Sequence, residues 1–585
     1  MRFFLTLLFV PLLVFANNSE ISSGCTRAKK EDRHPIPQVE KCPEVQAIQE
    51  PEKKKDVADQ GCVDLKGLIL VGNKSGLNPP KYEQTRTIDI YNIHLPGTLI
   101  SLRNEIIPLF FHQPVTKKSI LKLKKAILRY YRDRNRPIVT IQVPEQDISS
   151  GVLQFVVTEA EVGEITVRGN KYFKSSRVKD AIDLEPGEPV NSKILLQDLM
   201  WLNRNPFRQV DVVYSPGKEA GTTDIELLVH DRRPWRLYGG VDNTGNDVTG
   251  NNRLFAGFNL GNLFWSDQIL SYQFSTAVDF DRFWAHTLHY TIPLPWKHIM
   301  IFYGGYSHVD SDFAVPNVIG TTFKNKGWSA QASFRYDIPL TPYPRILQEM
   351  FFGFDFKRTN NNLEFGGVPV VSNNVNLFQL VLAYNMGFET KKVTTSWEIE
   401  GFYSPGRWLG DQSKADYRTL RPFARPNYFY ARTSFSFIWR FSNPLEFHTN
   451  FRGQIATTNL LPSEEYGVGG YNTVRGYKER AANGDHAIVY NGEIRTRKAS
   501  LAQLFGLKPW IDEFQLLGFL DYGIAYKDRT APGERSTRHL LSVGPGIRYN
   551  ILPYVSFRSD FGFQLKNLGD GGPHRRLHFL LVVSY

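Results

Sequence analysis

Residues 555–565 read VSFRSDFGFQL, and their alternation decides the fold. A strand points successive side chains to opposite faces. Val555, Phe557, Phe561, Phe563 and Leu565 therefore share one face, and Ser556, Arg558, Asp560 and Gln564 the other. The pattern recurs at 270–278, where Leu270, Tyr272, Phe274 and Val278 oppose Ser271, Gln273, Ser275 and Ala277. At 445–455, Leu445, Phe447, Phe451 and Ile455 oppose Glu446, His448, Asn450, Arg452 and Gln454. Leu577, Phe579, Leu581, Val583 and Tyr585 continue it, with the aromatic Tyr585 suited to a membrane interface. A charged face opposite an apolar, aromatic face, strand after strand, describes a closed sheet with a wet lumen and a lipid-facing exterior. Soluble sandwiches and propellers do not carry aromatic stripes on the outside of every strand.

From Arg233 onward helical periodicity is absent. At roughly 22 residues per strand and connection, residues 233–585 predict a transmembrane antiparallel β-barrel of about 16 strands. The 41 Phe, 27 Tyr, 10 Trp and 46 Gly suit many membrane-exposed strands better than helices. Beyond Ala16 no apolar run reaches the about 18 residues of a spanning helix. Only helices and closed barrels satisfy their backbone groups in lipid, so any crossing has to be by barrel.

Residues 1–16 read as a secretory signal: Arg2, then an apolar run to Phe15 and the small Ala16. Residues 17–60 are polar, charged and Pro-containing, a linker or a plug segment. Cys25, Cys42 and Cys62 leave room for one disulfide and one unpaired thiol, with the pairing open. Residues 61–160 are mixed α/β. Leu65 to Val71 forms a strand, 99–111 a helix, 116–134 a stronger helix capped by Thr116, and 138–143 and 152–158 two strands. Residues 161–232 repeat that order: a strand at 164–167, helices at 175–182 and 192–202, then strands at 210–214 and 224–229. The repetition suggests two copies of one small domain.

Several strings then point to a family. They are VPEQDISSGVLQFVVT (143–158), DLMWLNRNPF (198–207), GTTDIELLVHDRRPW (221–235), VRGY (474–477) and FLDYG (519–523). In type and order they resemble the two-partner secretion outer-membrane transporters of the haemolysin secretion/activation type. Those share a superfamily with the outer-membrane assembly factors that carry polypeptide-transport-associated (POTRA) domains. The resemblance implies two small α/β POTRA domains ahead of the barrel, and a long loop that folds back into it. It also implies that Arg475 of VRGY contacts Asp521 of F-x-D-x-G as a lumen lock, with Val474, Gly476, Tyr477, Phe519 and Gly523 completing the motif. Alternation independently points Asp521 into the lumen, opposite Leu516, Leu520, Tyr522 and Ile524. An Arg fork matches a carboxylate through two bonds, and Gly469, Gly470 and Gly476 allow tight turns.

The resemblance also sets the functional expectation. The chain binds an unfolded protein client, a large exported β-rich protein, through POTRA domains in the periplasm and passes it through an outer-membrane barrel. The alternatives are an assembly factor for other barrels and a passive porin. The net charge of +12 fits anionic lipid headgroups or an acidic client better than nucleic acid, which an exported chain rarely meets. Lys117, Lys118, Lys122, Lys124, Lys125, Arg129, Arg132, Arg134 and Arg136 make a basic helix run, opposed only by Asp133, that most often is a solvated face. His286 and His289 lie three apart in a strand and so cannot share a metal ion. P-loop, H-E-x-x-H and G-x-S-x-G strings are absent, so neither enzymatic chemistry nor a cofactor, metal or nucleotide is expected.

Overall fold

The computed structural model describes residues 63–79, 82–314, 322–340, 346–365, 368–442, 444–506, 511–569 and 573–585. The expected signal at 1–16, the segment at 17–60 and all three cysteines lie outside them.

The first α/β unit has strands β1 (Gly67–Val71), β2 (Ile88–Tyr91), β3 (Val139–Gln142) and β4 (Val152–Glu159) in the order β2-β1-β4-β3. Helices α1 (Leu99–Phe110) and α2 (Lys117–Asp133) pack on this sheet. Thr116 starts α2 through a capping box: its side chain accepts from Ser119 N–H at 3.1 Å, and Ser119 Oγ accepts from Thr116 N–H at 2.7 Å. Leu123, Ile127, Tyr130 and Tyr131 then fall on one face and are buried, each stabilising the unit by roughly 1.5–3 kcal/mol. The basic residues take the opposite face. The edge strand β2 has too little apolar alternation to show in the sequence and exists through its parallel pairing with β1.

The second unit contains β5 (Glu161–Arg168), α3 (Ser175–Lys179), α4 (Ser192–Leu202), β6 (Arg208–Pro216) and β7 (Thr222–Asp231). In each unit the first long strand runs parallel to the last, and the penultimate strand pairs antiparallel with the last. Helix α3 is shorter than its periodicity suggests. Ile182 N–H turns back to Lys179 O, and Asp183 N–H donates to the buried Asp198 carboxylate, each at 3.0 Å. These amides therefore leave the helical ladder.

Among the described residues, sixteen antiparallel strands close a barrel, from Trp235–Asp242 to Arg575–Ser584. The ring shuts where these two strands pair, Leu580 opposite Asp242 through Ser584 opposite Tyr238. Leu516, Leu520, Phe451, Ile455, Phe563 and Leu577 point outward, whereas His448, Gln454, Asp521, Asp560 and His578 are buried inside.

The second unit is fastened to the near rim of the barrel. Phe207 lies on Gly261, where a Cβ would come within 1.9 Å of the ring. Arg208 Nη1 donates to both carboxylate oxygens of Asp267, at 3.0 and 3.2 Å, and Asn205 Nδ2 donates to Gly261 O at 2.7 Å. Lys297, in a rim turn, bonds Asp183 at 2.7 Å and also Asp198. Burial pushes the Asp198 carboxyl above the usual aspartate range, against the pull of Lys297 and the Asp183 N–H. Much of the DLMWLNRNPF string is thus rim-contact surface.

Candidate functional site: the loop lock inside the barrel

Residues 457–485 join the strands Leu445–Ala456 and His486–Thr496. They fold into the lumen and carry a short hairpin of Tyr466–Val468 with Ala482–Gly484. Gly469 and Gly470, both at φ +108°, and Gly476 at φ +89° turn the chain through conformations that side chains disfavour. The turn delivers Arg475 to the wall, where it is 2% exposed.

Arg475 Nε donates to Asp521 Oδ2 and Nη2 to Oδ1, each at 2.7 Å, and its backbone N–H reaches Oδ2 at 3.1 Å. Nη1 donates to Glu493 Oε1 at 2.5 Å and lies 3.5 Å from Asp560. The guanidinium carbon sits 3.6 Å above the Phe519 ring, a cation–π contact strengthened by exclusion of water. Asp521 is fully buried and accepts a further bond from Asn491 Nδ2 at 2.8 Å. Asp560 takes Arg548 at 2.8 Å and Arg558 at 2.9 Å, and Glu493 takes Arg495 at 2.7 Å. Arg475, Arg495, Arg548 and Arg558 thus meet Asp521, Glu493 and Asp560 in one continuous network. Buried charges require such pairing.

The remaining motif residues have steric roles. Val474 is buried against Gly523, where a Cβ would come within 2.7 Å of Val474 Cγ2 and 2.4 Å of Val468 Cγ1. Gly476 lies against Gly562, where a Cβ would approach Gly476 N to 2.4 Å. Gly476 N–H donates to His578 Nε2 at 3.0 Å, and Gln564 Nε2 to Gly476 O at 2.7 Å. Tyr477 Oη donates to Lys566 O at 2.5 Å and accepts from Leu541 N–H at 3.2 Å. All seven residues singled out in the sequence therefore meet at one place. Glu493, Asn491, Arg495, Arg548 and His578 were not singled out. Their only local signal is a polar residue on a lumen face, which many others share.

Below the loop lies a cavity of about 1000 Å³, lined by Arg236, Arg432, Glu398, Glu400 and Tyr471 and reaching Trp235 and Tyr585 at the near rim. His286, by contrast, packs among Tyr272, Phe274 and Trp284, with Tyr272 Oη 2.6 Å from Nδ1, while His289 adjoins Thr291.

Comparison with known proteins places this geometry. Residues 221–549, more than half of the chain, match the family described as haemolysin secretion/activation protein ShlB/FhaC/HecB. Residues 160–232 match the POTRA family, described as surface antigen variable number repeat. The outer membrane transporter CdiB of Dickeya dadantii strain 3937 is 25% identical over 396 residues, which are 64% of this chain and 66% of that protein. The heme/hemopexin transporter protein HuxB of Haemophilus influenzae strain 86-028NP is 22% identical over 468 residues, 74% of this chain and 75% of that protein. The structure of CdiB from Escherichia coli superposes with a TM-score of 0.73 at 17% identity, covering 91% of this chain and 93% of that one. CdiB from Acinetobacter baumannii gives 0.64 at 16% identity, with 98% and 97% covered. The chain belongs to the haemolysin secretion/activation (ShlB/FhaC/HecB) family of outer-membrane transporters, with its barrel in the outer membrane and its POTRA region in the periplasm.

Proposed function

We propose that the chain carries an unfolded, exported, β-rich protein from the periplasm through its barrel, by binding and release rather than by catalysis. The observation that carries this reading is the buried fork of Arg475 on Asp521, which holds a loop of the chain inside its own pore. A diffusion pore gains nothing from an internal obstruction or from soluble units fastened to its rim.

Strand β6 supplies the entry point. It is an edge of its sheet, nine residues long, with Val213 and Tyr214 exposed. An extended client adds there as a further strand, its backbone bonds giving affinity that tolerates many sequences. The cavity beneath the loop is the next station, and folding of the client outside the cell supplies the free energy. The Leu- and Phe-bearing exterior is the surface offered to lipid.

The test is secretion of the client by Arg475→Ala and Asp521→Ala. Both variants are expected to insert as heat-modifiable barrels and to leave the client in the cell. Depletion of the protein should lower that one secreted client and spare other outer-membrane proteins, which separates a dedicated transporter from a general insertase. Normal export by both variants defeats the proposal.

A further inference from the structure

One patch of the lumen wall departs from the wet, charged lining expected of the pore. On the strand Val368–Glu389, the inward residues Val375, Leu377 and Val381 are apolar, and all three are buried. They are covered by residues 405–427, the connection between the strands Val393–Ser404 and Tyr428–Arg440. This segment folds inward and forms helix α5 (Lys414–Leu420), started by a capping box between Ser413 and Asp416. Tyr417, Leu420 and Ala424 pack into one cluster with the wall residues Leu377, Phe402 and Tyr430 and with Leu460 of the long loop. The three tyrosine hydroxyls in this seat are satisfied: Tyr417 Oη donates to Asn376 O at 3.1 Å, Tyr428 Oη to Gln379 Oε1 at 3.0 Å and Tyr430 Oη to Glu464 at 2.6 Å. An apolar patch on a pore wall stays out of water only while something covers it.

The residue after the helix latches the cover. Arg421 donates Nη1 to Asp485 Oδ1 at 2.6 Å and Nη2 to Oδ2 at 2.9 Å, and Nη1 also reaches Leu460 O at 2.6 Å. Asp485 accepts in addition from Leu460 N–H at 2.7 Å and Asp528 N–H at 3.0 Å. One buried carboxylate therefore ties three extracellular connections together. None of these residues belongs to the Arg475 network.

The geometry points to residues 405–427 as an outer plug, a second closure of the pore that shares no residue with the Arg475 network and is held by the Arg421–Asp485 latch to the outer end of the loop that network docks. Its role in client exit rests on the proposed transport. Its existence does not, because ion conductance reads it without any client. The measurement is single-channel recording of the purified full chain in planar bilayers, with insertion checked by heat-modifiable migration. Arg421→Ala is expected to raise the occupancy of conducting states about tenfold, the loss of a charge-assisted buried bond. Leu420→Asp, which sets a carboxylate in the apolar seat and leaves the latch residues in place, is expected to do the same. Arg421→Lys, which keeps the charge without the fork, should fall between and serves if the alanine variant does not insert. Folded variants that conduct like the unaltered protein overturn the plug while leaving the secretion proposal standing. Raised conductance together with normal export by Arg475→Ala and Asp521→Ala would leave the plug and remove the transport reading.

Discussion

The strongest prediction concerns the coupling between Arg475 and Asp521. Asp521→Ala removes the acceptor of three Arg475 bonds, at 2.7, 2.7 and 3.1 Å, and leaves that cation beside Arg548 and Arg558 with Glu493 and Asp560 to share among them. Stripping one partner from a buried pair costs about 3–5 kcal/mol, most of it the unpaired charge left behind. That corresponds to roughly a 10²- to 4 × 10³-fold fall in the population of the docked loop. Arg475→Ala should cost a similar amount, because it abandons Asp521 and also the Phe519 face. The double variant leaves neither charge stranded. Its loss should therefore fall short of the sum of the singles by at least about 1.5 kcal/mol, as for residues in one ion-pair network. The assay is limited proteolysis of residues 457–485 in the detergent-solubilised barrel, with cleavage rates converted to undocking free energies across the four members of the cycle. Strictly additive losses, or single variants cleaved no faster than the unaltered protein, would refute the claim that this pair holds the loop.

Gly523→Ala should displace Val474 and Val468 and loosen the same loop by about 1–3 kcal/mol of overpacking, read as faster cleavage with the charge network intact. Gly261→Ala forces the Phe207 ring off the rim; spin-label distances between β7 and the barrel rim are expected to broaden while the barrel remains heat-modifiable. Thr116→Ala removes the α2 cap and should cost about 1 kcal/mol, seen as faster amide exchange through the first turn of that helix and not in the second unit. Val213→Asp with Tyr214→Asp puts a charge on each face of the exposed end of edge strand β6 and is expected to weaken client binding severalfold without altering the lock; unchanged binding would move the client site elsewhere.

Local periodicity carried much of this protein. Alternation at 270–278, 445–455 and 555–565 was enough to read a barrel and to put Asp521 inside it, because a strand's two faces follow from its own backbone. Thr116 marked the start of α2 for the same local reason. VRGY and F-x-D-x-G were legible as a pair through resemblance, and Gly469, Gly470 and Gly476 as turning points through their lack of a side chain. Other features required the folded chain. Glu493, Asp560, Arg548 and His578 join Arg475 only because the register of neighbouring strands sets them at one height on the wall, and register is a relation between segments. The edge strand β2, the early end of α3 and the inward fold of residues 405–427 depend likewise on what each segment lies against. A sequence states which face a residue takes, but contact between distant residues is fixed only when closure of the sheet places every strand beside its neighbour.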